Sequence, residues 1–159
     1  MASNFTAVNP KYIAPDSLPA PITKIRAAGS QTWKKGEFGY LSSGLVAAVA
    51  TTTGGSAVYC QFLEDQDTST TANDLVWVRV LQAGDRFEIY VTSNGTDNAI
   101  AAANIGTGYD AYTASNVCYL DVNATTGAQF EVEKLAADYE PERNASTDTP
   151  GKCIVKFTG

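Results

Sequence analysis

The chain has 159 residues, 44% of them hydrophobic and 18% charged, with a formal net charge of −6 and a pI near 4.5. This length suits a single domain with a sizeable core, and the acidic balance argues against nucleic acid as the main partner, because such proteins usually carry a basic stripe. No apolar run approaches the roughly 20 residues of a membrane span, and no signal sequence is visible at residue 1. We therefore expect a protein made in a cytoplasm, with no membrane partner.

The first 21 residues are predicted to form an extended N-terminal arm. Its prolines, at positions 10, 15, 19 and 21, disfavour helix and central strand and favour extended backbone. The arm also carries apolar side chains that a solvated linker lacks, so we expect it to lie along a neighbouring protein or along its own body. The residues of the arm predicted to make these contacts are Phe5, Val8, Tyr12, Ile13 and Leu18.

Residues 22–159 are predicted to form an all-β domain, a single small β-barrel or β-sandwich of about nine short strands. No window of helical length keeps a 3.6-residue period, and the segments DNAIAAANI and KLAADY suit at most a turn or two. The segment NGTDNAIAAANIGTGYDAYTAS is expected to be irregular but packed. The predicted strands are Ile22 to Ala28, Glu37 to Leu41, Leu45 to Ala50, Ala57 to Leu63, Leu75 to Leu81, Arg86 to Thr92, Val117 to Val122, Gln129 to Leu135 and Lys152 to Thr158.

The stretch LVWVRVLQAGDRFEIYVT, from Leu75 to Thr92, has the pattern of a hairpin with one unusual strand. Its second half alternates cleanly, whereas its first half is apolar on both faces. A strand with two apolar faces needs a second apolar neighbour, which is either the packed segment around residues 100–112 or another subunit. The side chains opposite the valine face, and hence the predicted subunit-interface residues, are Leu75, Trp77 and Leu81.

The residue types of most catalytic and metal sites are missing or poorly spaced. The chain has no histidine, the commonest general base and metal ligand, and its three cysteines are widely spaced among apolar neighbours, so they are predicted to be buried. The acidic group at residues 64–67 fails the register of a calcium loop and is predicted to be a solvated loop. Glu131 and Glu133 alternate on a strand and are predicted to face outward. We expect no cofactor, no metal and no enzymatic activity.

The order of segments carries a resemblance to a known family. A Pro-punctuated apolar arm precedes TWKKGEFGYLSSGLVAAVA, in which a basic-Gly turn is followed by a strand and a second Gly turn. The strand AVYCQFL, a Thr-rich loop, the stretch VWVRVLQAGDRFEIYVT and the closing strand GKCIVKFTG follow. This layout resembles that of tailed-bacteriophage capsid decoration proteins, also called cement or head-stabilising proteins. The resemblance covers most of residues 22–159 and is one of layout rather than of a signature motif.

The resemblance implies a non-enzymatic structural protein of a phage virion. Such a protein binds the assembled capsid as a homotrimer, at or near three-fold and quasi-three-fold positions, and cements neighbouring major capsid protein subunits. It implies a location on the outer surface of the capsid after synthesis in the host cytoplasm. The arm is then the segment expected to reach along the shell.

Two functions of other classes stay open at this point. A carbohydrate- or receptor-binding β-sandwich module of a virion fibre or spike would bind sugars by aromatic stacking, and its first suspects are Trp33, Tyr109 and Tyr112. An enzyme is the third alternative, and its base would have to be a carboxylate, lysine, tyrosine or cysteine.

Overall fold

The protein contains two β-sheets, one of them closed into a barrel. The computed structural model describes residues 5–15, 18–49, 57–144 and 147–159, and the all-β prediction is confirmed there. The helical segments of these residues are single 3₁₀ turns at Ala102–Asn104 and Ala136–Asp138, as expected. The strands of these residues are β1 Lys11–Ile13, β2 Ile22–Arg26, β3 Phe38–Ser42, β4 Leu45–Ala48, β5 Val58–Phe62, β6 Leu75–Val80, β7 Arg86–Ser93, β8 Thr96–Asp97, β9 Gly108–Ala114, β10 Val117–Asp121, β11 Phe130–Leu135 and β12 Lys152–Phe157.

The barrel is a ring of five strands in the order β7-β10-β9-β11-β12, closed by pairing of β12 with β7. Closure removes the open edges that an antiparallel sheet otherwise exposes. Alternate residues of β7, namely Phe87, Ile89 and Val91, have no exposed surface and face the interior. The Phe87 ring contacts Phe38 edge-on with ring centroids 5.1 Å apart, and Phe38 stacks on Phe130 at 5.0 Å. These aromatic contacts stabilise the barrel core.

Part of the predicted arm is a strand of the barrel wall. β1 pairs with residues 86–88 of β7, while β12 pairs with residues 86–90 of the same strand. A strand has two edges, and β12 holds one edge of β7. β1 therefore pairs with the other edge, and β10 pairs with that same edge at residues 91 and 92. The arm was expected to lie either along a neighbouring protein or along its own body. Residues 11–13 lie along the protein's own body. The arm positions 1–4 and 16–17 are outside the described residues.

The second sheet has five strands in the order β2-β6-β5-β3-β4. Its two outer strands meet at a single bridge between Ala27 and Val46. Its own core contains Trp33, which stacks on Phe62 with ring centroids 3.9 Å apart. Gly39 permits this packing, because a Cβ at that position would lie 2.8 Å from the Phe62 ring. The sheet also contributes side chains to the barrel core, which joins the two units into one body.

The structure corrects two details of the predicted strand pattern. Strands β6 and β7 do not pair as a hairpin: β6 belongs to the second sheet and β7 to the barrel, because their valine and Phe-Ile-Val faces are buried in two different cores. The segment expected to be irregular contains β9, which lies in the barrel wall between β10 and β11. The nine predicted strands are all present within a residue or two at their ends, although Ala50, the predicted end of β4, lies outside the described residues.

Candidate docking surface

Strand β6 presents one buried and one exposed face. Val78 is fully buried in the second core, with Val76 and Val80 packed against it. On the opposite face Leu75 is 59% exposed and Trp77 is 40% exposed. Single exposed apolar residues are common on proteins, but adjacent ones on a sheet face often mark an interaction site. The two-faced sequence pattern therefore corresponds to an uncovered surface rather than to a second core.

Neighbouring strands extend this surface on both sides of Trp77. On β2, Lys24 lies opposite Trp77, and its Nζ atom is 5.0 Å from the centroid of the indole ring. On the β5 side, the backbone N–H of Leu63 donates to the Trp77 carbonyl at 3.3 Å. Residues that oppose one another on paired strands share a face of the sheet. We call this surface the outer face, and it consists of Ile22, Lys24, Arg26, Leu63, Leu75, Trp77 and Arg79.

The N-terminal arm lies against the outer face and forms a groove with it. The groove has a volume of about 420 Å³, and Val8 and Tyr12 of the arm line it together with Leu63 and Arg79 of the sheet. The guanidinium of Arg79 stacks on the Tyr12 ring at 3.9 Å, and its Nε atom is buried without a hydrogen-bond partner in the described part of the chain. Val8, a predicted capsid contact, thereby lines a groove with Leu63 and Arg79 of the outer face.

The cations of this acidic protein are unevenly distributed. Five of the eleven form ion pairs within the described residues, through Lys34, Arg86, Arg143, Lys152 and Lys156. The remaining six have no described carboxylate within ion-pairing distance. One of these, Lys134, is on β11 of the barrel. The others lie on the outer face or line its groove, and they are Lys11, Lys24, Arg26, Lys35 and Arg79. On the other side of Trp77, Glu64 and Asp65 line a pocket with Leu75 and Trp77, so the excess of cations is local to the β2 side and the groove. Such a local excess on a protein of net negative charge favours an anionic partner there.

None of the family models, curated proteins or solved structures compared with the chain matches it.

The remaining predicted contact residues have different positions. Leu18 is 85% exposed, and Ile13 is half-buried on β1. Phe5 is held by the body: its N–H donates to the carbonyl of Thr149 at 3.0 Å, and its ring lies 3.4 Å from the guanidinium carbon of Arg143.

Leu81, in contrast, does not share the exposed face of Leu75 and Trp77. It lies in the barrel core at 8% exposure, because β6 ends at Val80 and the chain then crosses into the barrel.

The aromatic residues suspected of sugar binding are mostly inaccessible. Trp33 is 3% exposed and donates its indole N–H to the carbonyl of Glu64 at 3.0 Å. Tyr109 is 6% exposed, and its hydroxyl accepts a hydrogen bond from the Asn104 side chain at 2.7 Å. Tyr112 is half-buried on β9. A sugar ring stacks on an open aromatic face, so Trp33 and Tyr109 do not offer that surface.

Several titratable side chains in the interior have pKa values raised by burial. Burial raises the pKa of the Cys60 thiol to about 12 and that of Cys118 to about 11, and it also raises the pKa of Cys153. A thiol with a raised pKa is a poor nucleophile at neutral pH. All three cysteines are buried, as predicted. Burial likewise raises the pKa of Glu37, although its carboxylate accepts the backbone N–H of Lys34.

The acidic loop is tied to its surroundings by ordinary polar contacts. The Asp65 carboxylate accepts the backbone N–H of Lys35 at 2.8 Å, and Asp67 forms an ion pair with Lys34. The described residues contain no cluster of three or more potential metal ligands. Nor do they include a helix with the length and apolarity needed to span a bilayer.

Sequence reasoning located Trp77 and Leu75 but missed the cations beside them. The signal was present in ITKIR, where Ile22, Lys24 and Arg26 alternate with Thr23 and Ile25. That alternation places the two cations on one face of β2, but only the strand order shows that this face adjoins Trp77.

Proposed function

We propose that the protein is a non-enzymatic capsid decoration protein that binds an assembled phage shell as a trimer and cements neighbouring major capsid protein subunits. The observation that carries the proposal is the outer face, where exposed apolar side chains and cations with no ion partner among the described residues adjoin the N-terminal arm. The segment order described above supplies the family, and the face supplies a surface suited to binding another protein.

The outer face and the groove beside it contain residues predicted for both kinds of contact. Val8 was predicted to touch the shell, and Leu75 and Trp77 to touch a second subunit. Because the groove lined by Val8 adjoins the outer face at Leu63 and Arg79, we propose that the face and the groove lie at the junction where a subunit meets both the shell and its neighbour. A trimer that offers three weak patches to three symmetry-related sites gains avidity from effective concentration. A ligand that binds only the assembled shell also stabilises it by mass action.

The decisive experiment measures the thermal stability of shells from the encoding virus that lack this protein. Adding the unmodified chain should raise the temperature at which the shells lose integrity. Trp77→Ala should weaken shell binding about tenfold or more, since an exposed tryptophan at a protein interface commonly contributes that much. The matched control is Ile105→Ala, because Ile105 is 42% exposed beside β9 and outside the outer face. An unchanged shell stability at saturating occupancy would refute the proposal.

Self-association is tested separately by light scattering of the purified chain. The proposal predicts a trimer whose formation is weakened by Trp77→Ala, with an unchanged far-UV circular dichroism spectrum. A monodisperse monomer of the unmodified protein would count directly against the trimer.

A further inference from the structure

Among the described residues, strand β2 has an open edge beside the outer face. Pro21 and Ala27 form backbone hydrogen bonds to the segment containing β6, at 2.9 and 2.8 Å. In an antiparallel pair the bonded positions alternate, so the N–H and C=O groups of Ile22 and Lys24 point away from β6. On the side away from β6, the contact of this segment with a described strand is with Val46 of β4. It consists of the bridge between Ala27 and Val46 and a hydrogen bond from the Ala28 N–H to the Val46 carbonyl at 2.8 Å.

The open edge is suited to receive another strand. The N–H and C=O groups of Ile22 and Lys24 could form a four-bond ladder with an extended segment. Ile22 is 55% exposed, so the position also offers apolar contact. A strand edge with unpaired backbone groups attracts other chains, and proteins commonly protect such edges with charge. Here Lys24 and Arg26 provide charge of one sign, which excludes a cationic strand and admits an acidic one.

The side chains next to the edge define the chemistry of that strand. Side chains of an added strand would lie about 5 Å from those of β2 on the same face. Alternate positions would therefore meet Lys24 and Arg26 on the outer face. The intervening positions would lie beside Thr23 and Ile25, and Ile25 packs against the second core. Carboxylates suit the positions beside Lys24 and Arg26, and apolar side chains suit the positions beside Thr23 and Ile25.

We propose that the open edge of β2 binds an extended acidic segment of a partner protein, with alternating carboxylate and apolar side chains, as an added strand. The inference concerns this edge alone and holds whether or not the partner is a capsid protein. Nucleic acid is the rival anionic ligand. It is disfavoured because the protein is acidic overall and because exposed Ile22, Leu75 and Trp77 adjoin the cations where a phosphate backbone would call for further basic residues.

The test begins with selection from a random twelve-residue peptide library displayed on filamentous phage, using the full chain as bait. We expect enrichment of peptides in which Asp or Glu alternates with apolar residues. A synthetic copy of the dominant peptide is then titrated against the protein. Tryptophan fluorescence should change on binding, because Lys24 lies over the Trp77 ring.

Two matched variants separate a local effect from a bulk charge effect. Lys24→Glu and Lys134→Glu change the net charge equally, but Lys134 is on the barrel strand β11. Lys24→Glu should weaken peptide binding about tenfold, since it replaces a favourable cross-strand pair by a repulsive one, and Lys134→Glu should leave it unchanged. Equal losses in the two variants would overturn the proposal.

Backbone methylation tests the strand geometry. Two versions of the peptide carry N-methyl groups on alternate residues, in complementary patterns, so that each removes the N–H donors of one edge. Only one pattern should abolish binding. The proposal would be overturned if both methylated peptides bind or if neither binds. It would also be overturned if the library shows no enrichment of acidic peptides. A third contrary result is that no peptide binds, while a 20-base-pair DNA duplex binds in a salt-dependent manner that requires Lys24. None of these measurements uses a shell, so shell binding and peptide binding can fail independently.

Discussion

Tyr12 connects the N-terminal arm to both the barrel and the outer face, so its truncation should loosen the arm. Its ring meets Phe87 edge-on with centroids 5.6 Å apart and is stacked by Arg79 at 3.9 Å. Its hydroxyl accepts the N–H of Ala20 at 2.9 Å. We compare Tyr12→Ala, which removes all three interactions, with Tyr12→Phe, which removes only the hydrogen bond.

The magnitudes follow from these contacts. An aromatic pair contributes about 0.5–1.5 kcal/mol, a partly desolvated cation–π contact about 1–2 kcal/mol, and a single hydrogen bond about 1 kcal/mol. Tyr12→Ala should therefore lower the free energy of unfolding by about 2.5–4.5 kcal/mol. Tyr12→Phe should lower it by about 1 kcal/mol. Urea denaturation of the two variants measures both quantities.

Amide hydrogen exchange distinguishes a loosened arm from general destabilisation. Alternate residues of β7 bond to opposite neighbours. Since Val91 donates to the carbonyl of Gly151, which precedes β12, the amides of Phe87 and Ile89 point toward β12, and those of Arg86 and Glu88 point toward β1. In Tyr12→Ala the Arg86 and Glu88 amides should exchange faster, while the Phe87 and Ile89 amides stay protected.

Two results would refute this reasoning. Equal destabilisation by the two variants would mean that the ring contacts contribute nothing measurable. Uniform acceleration of exchange along β7 would mean that the arm and the barrel open together, so that β1 would be part of a single cooperative unit.

Three further predictions concern the interior. Burial raises the pKa of Glu37 above its usual value, so the folded state binds this proton more tightly than the unfolded state and stability is gained as pH falls through the raised pKa. Glu37→Gln should be more stable than the unmodified protein above the raised pKa of Glu37, and the difference in unfolding free energy should shrink as the pH falls through that pKa; a difference that stays constant as the acid titrates would contradict the assignment. The three buried cysteines should resist a thiol reagent at pH 8 and react only on unfolding in guanidinium, so rapid labelling of the native protein would count against their burial. Gly151→Ala should cost about 1–3 kcal/mol in urea denaturation, because the new Cβ would lie 2.8 Å from the backbone nitrogen of Ile100; an unchanged midpoint would show that the backbone moves aside easily.

Strands with clear alternation were predictable because their own side chains decide which face is buried. RFEIYVT is one example, and its Phe87, Ile89 and Val91 are all buried. Strand β9 was not predictable in this way, since it buries Asp110. That carboxylate accepts the backbone N–H groups of Gly127 and Ala128 at 2.8 and 2.7 Å. The two donors lie 17 and 18 residues from Asp110 along the chain, so the local sequence does not indicate that this acid is buried.

The candidate surface was only half predictable for a related reason. The exposed side of Trp77 follows from the pattern of β6, but its neighbours depend on strand order, which is a long-range property. Tyr12 lies between Pro10 and Pro15, so nothing local indicated that residues 11–13 pair with the barrel strand β7. Leu81 continues the alternation of β6 in sequence, yet the chain leaves that strand after Val80.

The position of β1 determines how mechanical force would pass through the molecule. A pull on the arm meets the contacts of Phe5 with Thr149 and Arg143 and then a three-residue ladder along one edge of β7. The opposite edge of β7 is held by five register pairs to β12, inside a closed ring. Because the ladder is shorter than the ring seam, the arm should peel away before the barrel opens. The protein would then behave as a tether with a weak attachment in series with a strong one, and strain on a bound arm would be released without unfolding of the body.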